Sequence, residues 1–122
     1  MRASEAYRHQ QRASASSQSE IPTLFNELIR TVAETRIAIQ DSRLEDAHRG
    51  LLLAQQVLSG LRTGLAPQPQ DLVQNLQALY LHCELLLGQA NVQKSVQDID
   101  KALEVLSVLR DAWQDAAMSL QK

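Results

Sequence analysis

The sequence predicts an all-α fold: an antiparallel up-down four-helix bundle preceded by a loose N-terminal arm. Three observations predict it. Apolar residues recur at three- and four-residue steps through four long runs. Short breaks rich in capping and helix-stopping residues separate the runs, so neighbouring helices must turn back on one another. Alternating apolar–polar segments and Asn-Gly or Asp-Gly turns, the marks of strands and hairpins, do not occur.

Residues 1–18 form the arm. They are rich in Ser, Gln, Arg and Ala, with Tyr7 as the only aromatic, and bury little by themselves. The bundle takes residues 19–122. Its first helix, 20–41, follows Ser19 as a cap and carries Pro22 in its first turn, where a missing N–H costs least. Leu24, Leu28, Val32, Thr35 and Ile39 form its inward stripe, widened by Phe25, Ile29 and Ile37.

Ser42 and Glu45 make an S-x-x-E capping box that opens the second helix, 43–63. Leu44, Ala47, Leu51, Ala54, Leu58 and Leu61 form a coiled-coil-like seam, with Leu52, Leu53 and Val57 off it. Gly64 stops the run, and Pro67 and Pro69 forbid its early resumption.

The third helix, 71–90, is capped by Asp71 with Gln74 and closes at Asn91, a residue that tolerates the left-handed cap. Leu72, Leu76, Leu79, Cys83, Leu86 and Ala90 face inward. Ser95 caps the fourth helix, 95–119, whose seam runs Ile99, Leu103, Leu106, Leu109, Trp113, Ala117 and Leu120. Leu109 takes the place that strict spacing would give Arg110, and Val105, Val108 and Ala112 form a side stripe. Helices of this length span about 30 Å.

The third helix carries more leucine than one core needs. Leu81 and Leu85 lie one turn apart on a stripe beside the inward one, Leu87 widens the apolar arc, and Tyr80 borders both stripes. Apolar surface that a bundle cannot cover for itself must be buried against another molecule.

Composition narrows the function. A chain of 122 residues, 44% of them apolar, is one domain with a real core. The net charge is −2 and the basic residues are scattered among acidic ones, which excludes nucleic acid as the main partner. The opening residues hold no apolar run suited to a signal peptide, and no stretch approaches the roughly 18 apolar residues of a membrane span, so a cytoplasmic protein without membrane insertion is expected. Cys83 is the single cysteine and falls on an apolar face, as a buried, reduced thiol would.

No reaction chemistry stands out. His9, His48 and His82 are far apart, and Glu45-x-x-His48 is a single copy of a motif that di-iron bundles need twice. Glu45, Asp46, Asp98 and Asp100 sit near helix starts, where they complement the helix dipole. No Gly-rich loop precedes a helix. Neither an enzyme nor a metal or other cofactor is expected.

Several segments, in order, resemble the FliS-type flagellin export chaperones. Gln74-Asn75-Leu76, Leu79-Tyr80 and Gln89-Ala90-Asn91 are similar to the family's third helix, and Leu109-Arg110-Asp111-Ala112-Trp113 to its fourth. Ala6-Tyr7 with Ser14-Ala15-Ser16 looks like its arm, and Leu24-Phe25-Asn26 like its first helix. Departures lie at Ser16-Ser17, Glu20, Pro22, Glu27 and Leu81-His82-Cys83-Glu84-Leu85-Leu86, which leaves a divergent paralogue with a different client as a variant of this reading.

The resemblance implies a cytoplasmic four-helix chaperone. Such a protein binds the C-terminal helical segment of flagellin, prevents premature polymerisation and delivers the client to the flagellar type III export apparatus. The client-binding residues expected here are Leu53, Val57, Tyr80, Leu81, Leu85, Val105 and Val108, with Tyr7 of the arm lying over the groove until the client displaces it. The alternative is a self-associating bundle that buries the same stripes in a homodimer.

Overall fold

The computed structural model describes residues 20–64 and 70–120, with side chains at 20–63 and 76–115. Four helices follow one another: α1 Ile21–Gln40, α2 Leu44–Gly64, α3 Gln70–Gln93 and α4 Val96–Leu120. Each packs on its two neighbours, α1 on α2 and α4, and α3 on α2 and α4, which is the square of an all-α four-helix bundle. The expected arm, the Ser19 cap and the stop at Pro67 and Pro69 lie outside the described residues, as do the side chains of Asp71, Leu72, Ala117 and Leu120.

The core is the apolar stripe of each helix turned to the centre. Phe25, Leu51, Leu58, Leu87, Leu106, Leu109 and Trp113 are among its fully buried large side chains. Leu109, not Arg110, occupies the inward place in α4, because the Arg110 guanidinium reaches outward to Asn26 Oδ1 at 3.1 Å. Five positions differ from the expected stripes. Leu44 and Ile37 are exposed, while Ile39, Leu79 and Leu103 are half-buried and Ala38, Tyr80 and Ala102 take the innermost places. Leu44 is the first residue of α2 and stands at the bundle end, before a full turn has formed beneath it. Ala102 lies where α3 and α4 approach closely, with the Cys83 thiol 3.8 Å from its carbonyl oxygen.

The helix ends depart from the capping expected of them. Ser42 does not open α2; it closes α1. It adopts a left-handed φ of 61°, its N–H donates to the Ile39 carbonyl at 3.0 Å, and the Arg43 N–H donates to the Ala38 carbonyl at 2.7 Å. That pair of bonds is a Schellman motif. The Arg43 carbonyl then accepts the first bond of α2, from Ala47 N–H at 3.1 Å.

At the other end of the bundle α3 runs past Asn91 to Gln93, and Lys94 takes the left-handed position with φ 49°. The Ser95 N–H closes the motif on the Ala90 carbonyl at 3.2 Å. The Asn91 side chain accepts from Lys94 Nζ at 2.9 Å instead of forming the turn. Ser95 then caps α4, its Oγ accepting from the Asp98 N–H at 3.2 Å.

Candidate functional site

The outward face of α3 carries an apolar row beside the exposed His82 and Gln89. Ala78, Leu81, Leu85, Gly88 and Val92 follow one another at steps of three, four, three and four, a row that stays on one side of a helix. Leu81 is 48%, Leu85 60% and Val92 85% exposed, while Cys83, Leu87 and Ala90 on the opposite side are fully buried. One helix thus feeds the core with one stripe and offers water another.

The expected site residues divide into three groups. Leu81 and Leu85 stand together on this outward face, and Val108 is 52% exposed on α4. Leu53 and Val105 are half-buried against the core. Val57 and Tyr80 are core residues, only 5% and 4% exposed. Leu53 and Val57 do meet, but on another side: with Leu24, Leu28, Thr31 and Ala54 they line a shallow cleft of about 180 Å³ between α1 and α2. Tyr7 lies outside the described residues.

Tyr80 turns inward because its hydroxyl finds a partner there. Trp113 Nε1 donates to it at 2.8 Å, and the Tyr80 ring tilts at 50° to that of Phe25, centroids 6.1 Å apart. Burial raises the phenol above its ordinary pKa, and it likewise pushes the Cys83 thiol up to about 12, helped by the negative charge of Glu84.

Charge is distributed unevenly. From Gly50 to Thr63 the only charged residue is Arg62, and from Leu76 to Gln93 the only acid or base apart from His82 is Glu84. These two pair with each other, Arg62 Nε to Glu84 Oε2 at 2.6 Å and Arg62 Nη2 to Glu84 Oε1 at 3.5 Å. The helix pair α2–α3 is therefore nearly neutral along this length.

Charges gather on α1 and α4, which carry Glu27, Arg30, Glu34 and Arg36, and Asp98, Asp100, Lys101, Glu104, Arg110, Asp111 and Asp115. There Arg36 Nε donates to Asp100 Oδ1 at 2.8 Å, a hydrogen bond that holds the carboxyl below the usual carboxylate range. Asp100 thus bridges α4 to α1 rather than serving only the dipole of its own helix. Asp46, at the start of α2, is lowered in the same way by Arg49 and Arg43.

Val92, Gly88 and Ala78 were not among the expected residues. Their signal is the row's spacing, and Val92 escaped because the helix was expected to end before it. Among the described residues no three His, Cys, Asp or Glu side chains are grouped to hold a metal ion, and no helix is long and apolar enough to cross a membrane.

The sequence model of the family described as "Flagellar protein FliS" matches residues 1–120. A protein named flagellar secretion chaperone FliS, from Escherichia coli (strain K12), is 29% identical over 108 residues, which is 87% of this chain and 79% of that protein. No solved structure matches the chain. With a match that spans nearly every residue, on a bundle that leaves a row of leucines open to water, the chain belongs to the FliS family of flagellar proteins.

Proposed function

We propose that this protein is a flagellar secretion chaperone. In the cytoplasm it binds the C-terminal helical segment of flagellin, keeps it from polymerising, and hands it to the flagellar type III export apparatus. The family and the name of the Escherichia coli relative support the chaperone role. The observation that carries the binding step is the exposure of Leu81 and Leu85, one turn apart on a helix whose other face is fully engaged in the core. An amphipathic client helix laid along this row buries its own apolar face and theirs together. Val108 on α4 and Leu53 at the α1–α2 cleft give a longer client places to continue, with Val105 and Tyr7 as secondary contacts. The work is binding rather than turnover.

Titration calorimetry with the flagellin C-terminal segment tests the placement. Leu81→Asp and Leu85→Asp should each weaken binding at least tenfold, about 1.4 kcal/mol, with helicity by circular dichroism unchanged. Unchanged affinity in both variants overturns this docking surface.

A further inference from the structure

Polar contacts at the surface tie the helices together as two pairs. Between α1 and α4, Arg36 Nε donates to Asp100 Oδ1 at 2.8 Å toward one end, and Arg110 Nη1 donates to Asn26 Oδ1 at 3.1 Å toward the other. Between α2 and α3, His48 Nδ1 stands 3.1 Å from Asn91 Oδ1, and Arg62 Nε donates to Glu84 Oε2 at 2.6 Å. Each pair is therefore pinned at two separate heights by contacts that depend on distance and angle and resist sliding. Their register also fixes direction. As numbers rise from 26 to 36 in α1, they fall from 110 to 100 in α4, so the two run antiparallel.

The pairs are joined to each other differently. The short turns at 41–43 and 94–95 carry the chain from one pair to the other, and in an antiparallel bundle both lie at the same end. Each turn holds one residue in the left-handed conformation, Ser42 at φ 61° and Lys94 at φ 49°. Toward that end α1 and α2 close up, since a Cβ on Gly50 would come within 2.4 Å of the Thr35 methyl.

At the end away from the turns the pairs meet through the core, and apolar packing sets no direction of its own. There Leu24 and Leu28 of α1 and Leu53 and Val57 of α2 surround the cleft of about 180 Å³. The directional contact across the divide at this end is the buried hydrogen bond from Trp113 Nε1 to the Tyr80 hydroxyl, 2.8 Å long.

We infer that the bundle is a clasp. The α1–α4 and α2–α3 pairs swing as two units about the turns at Ser42 and Lys94, and the far end opens when the Trp113–Tyr80 bond breaks. The movement keeps the surface contacts inside each pair and the backbone hydrogen bonds of every helix, so it costs less than unfolding. It parts Phe25 and Trp113 on one side from Val57 and Tyr80 on the other, leaving an apolar wedge. Val57 and Tyr80, enclosed in the shut clasp, then face an incoming apolar helix. The opening belongs to the chain alone and does not depend on the client proposed above.

Thiol labelling against hydrogen exchange reads the movement. In a Cys83→Ala background, Leu58→Cys places a thiol toward the opening end of α2. Leu51→Cys makes the same truncation about two turns nearer the hinge. Both leucines are fully buried, so a reagent reaches either position only through an opening. Leu51→Cys should label close to the rate that its global unfolding sets, measured by urea titration. Leu58→Cys should label at least tenfold faster than its own global unfolding allows. The α2 amides, followed by mass spectrometry, should exchange at the global rate in both, because the helix stays wound. Adding Tyr80→Phe should speed labelling of Leu58→Cys by a larger factor than it raises global unfolding.

Labelling of Leu58→Cys no faster than global unfolding overturns the inference. So do amides around position 58 that exchange as readily as the thiol reacts, which is fraying and not a swing of intact helices. If Leu58→Cys does not fold, the unsubstituted chain decides. Its buried Cys83 lies across the divide from Ala102, Sγ to carbonyl oxygen 3.8 Å, and should label faster than the α3 amides exchange. Equal rates there overturn the clasp. No flagellin enters the measurement, so its outcome is separate from that of the chaperone reading.

Discussion

Trp113 Nε1 donates a hydrogen bond of 2.8 Å to the hydroxyl oxygen of Tyr80, across the interface of α4 and α3 and out of reach of water. Each group would be costly to bury alone, and each satisfies the other. Tyr80→Phe keeps the ring on Phe25 and leaves the indole N–H without its acceptor. The expected cost is about 1–3 kcal/mol. Trp113 is the only tryptophan, so urea unfolding followed by its fluorescence reads the loss directly. A midpoint equal to wild type would mean that the bond contributes nothing.

Two buried groups make the fold sensitive to alkali. Burial holds the Cys83 thiol up to about 12 and raises the Tyr80 phenol as well, so both stay neutral in the bundle. In the unfolded chain the thiol ionises near pH 8.5 and the phenol near roughly 10. The unfolded state therefore gives up these protons first. Their contribution to stability is complete below the unfolded values and falls as pH rises, for the thiol through to about 12. Cys83→Ala should flatten the thiol's part of the decline. Urea midpoints measured from neutral pH into the alkaline range should fall less steeply for this variant than for wild type; equal slopes would refute the assignment.

The periodicity made the four inward stripes legible, down to Leu109 replacing Arg110, because burial follows a helix's 3.6-residue repeat wherever partners lie on one side. The Leu81–Leu85 stripe was legible for the same reason: no single core can use two faces of α3. Ends were harder. Ser42-x-x-Glu45 has the pattern of a capping box, but a turn of three residues also needs a left-handed stop for α1, and Ser42 serves that need. Asn91 suits a left-handed cap, yet its side chain is held by Lys94, and the turn passes to Lys94 itself. That shift brings Val92 onto α3. Tyr80 sat on the border between two stripes, and its side was decided by Trp113, 33 residues away, which no local pattern encodes.

Gly50 lies against Thr35, and a Cβ added there would come within 2.4 Å of the threonine methyl. Alanine ordinarily favours a helix interior over glycine by about 1 kcal/mol. Here Thr35 is buried and its hydroxyl is tied to the Val32 carbonyl at 2.6 Å, so turning the methyl aside means giving up that hydrogen bond. Gly50→Ala should destabilise by about 1–3 kcal/mol. Thr35→Ser deletes the clashing methyl but keeps the hydroxyl, and Gly50→Ala/Thr35→Ser should recover most of that loss. Gly88→Ala meets only the flexible end of Gln55 and should be neutral or slightly stabilising. Thermal melts of the four variants separate these outcomes; a Gly50→Ala more stable than wild type would show that α1 and α2 can part without cost.

Arg62 and Glu84 pin α2 to α3 with two hydrogen bonds, and their side chains are only 23% and 19% exposed. A pair this enclosed is held more firmly than a surface one, because removing either partner strands a charge that water reaches poorly. Glu84→Gln and Arg62→Met should each cost about 1–2 kcal/mol, above the ~0–1 kcal/mol of exposed pairs but below the figure for full burial. The double variant strands nothing and lets methionine lie along the helix pair, so its loss should be smaller than the sum of the two by about 1 kcal/mol. Urea unfolding of the four proteins measures that coupling. Strict additivity would mean that Arg62 and Glu84 act on the bundle independently, despite the 2.6 Å between them.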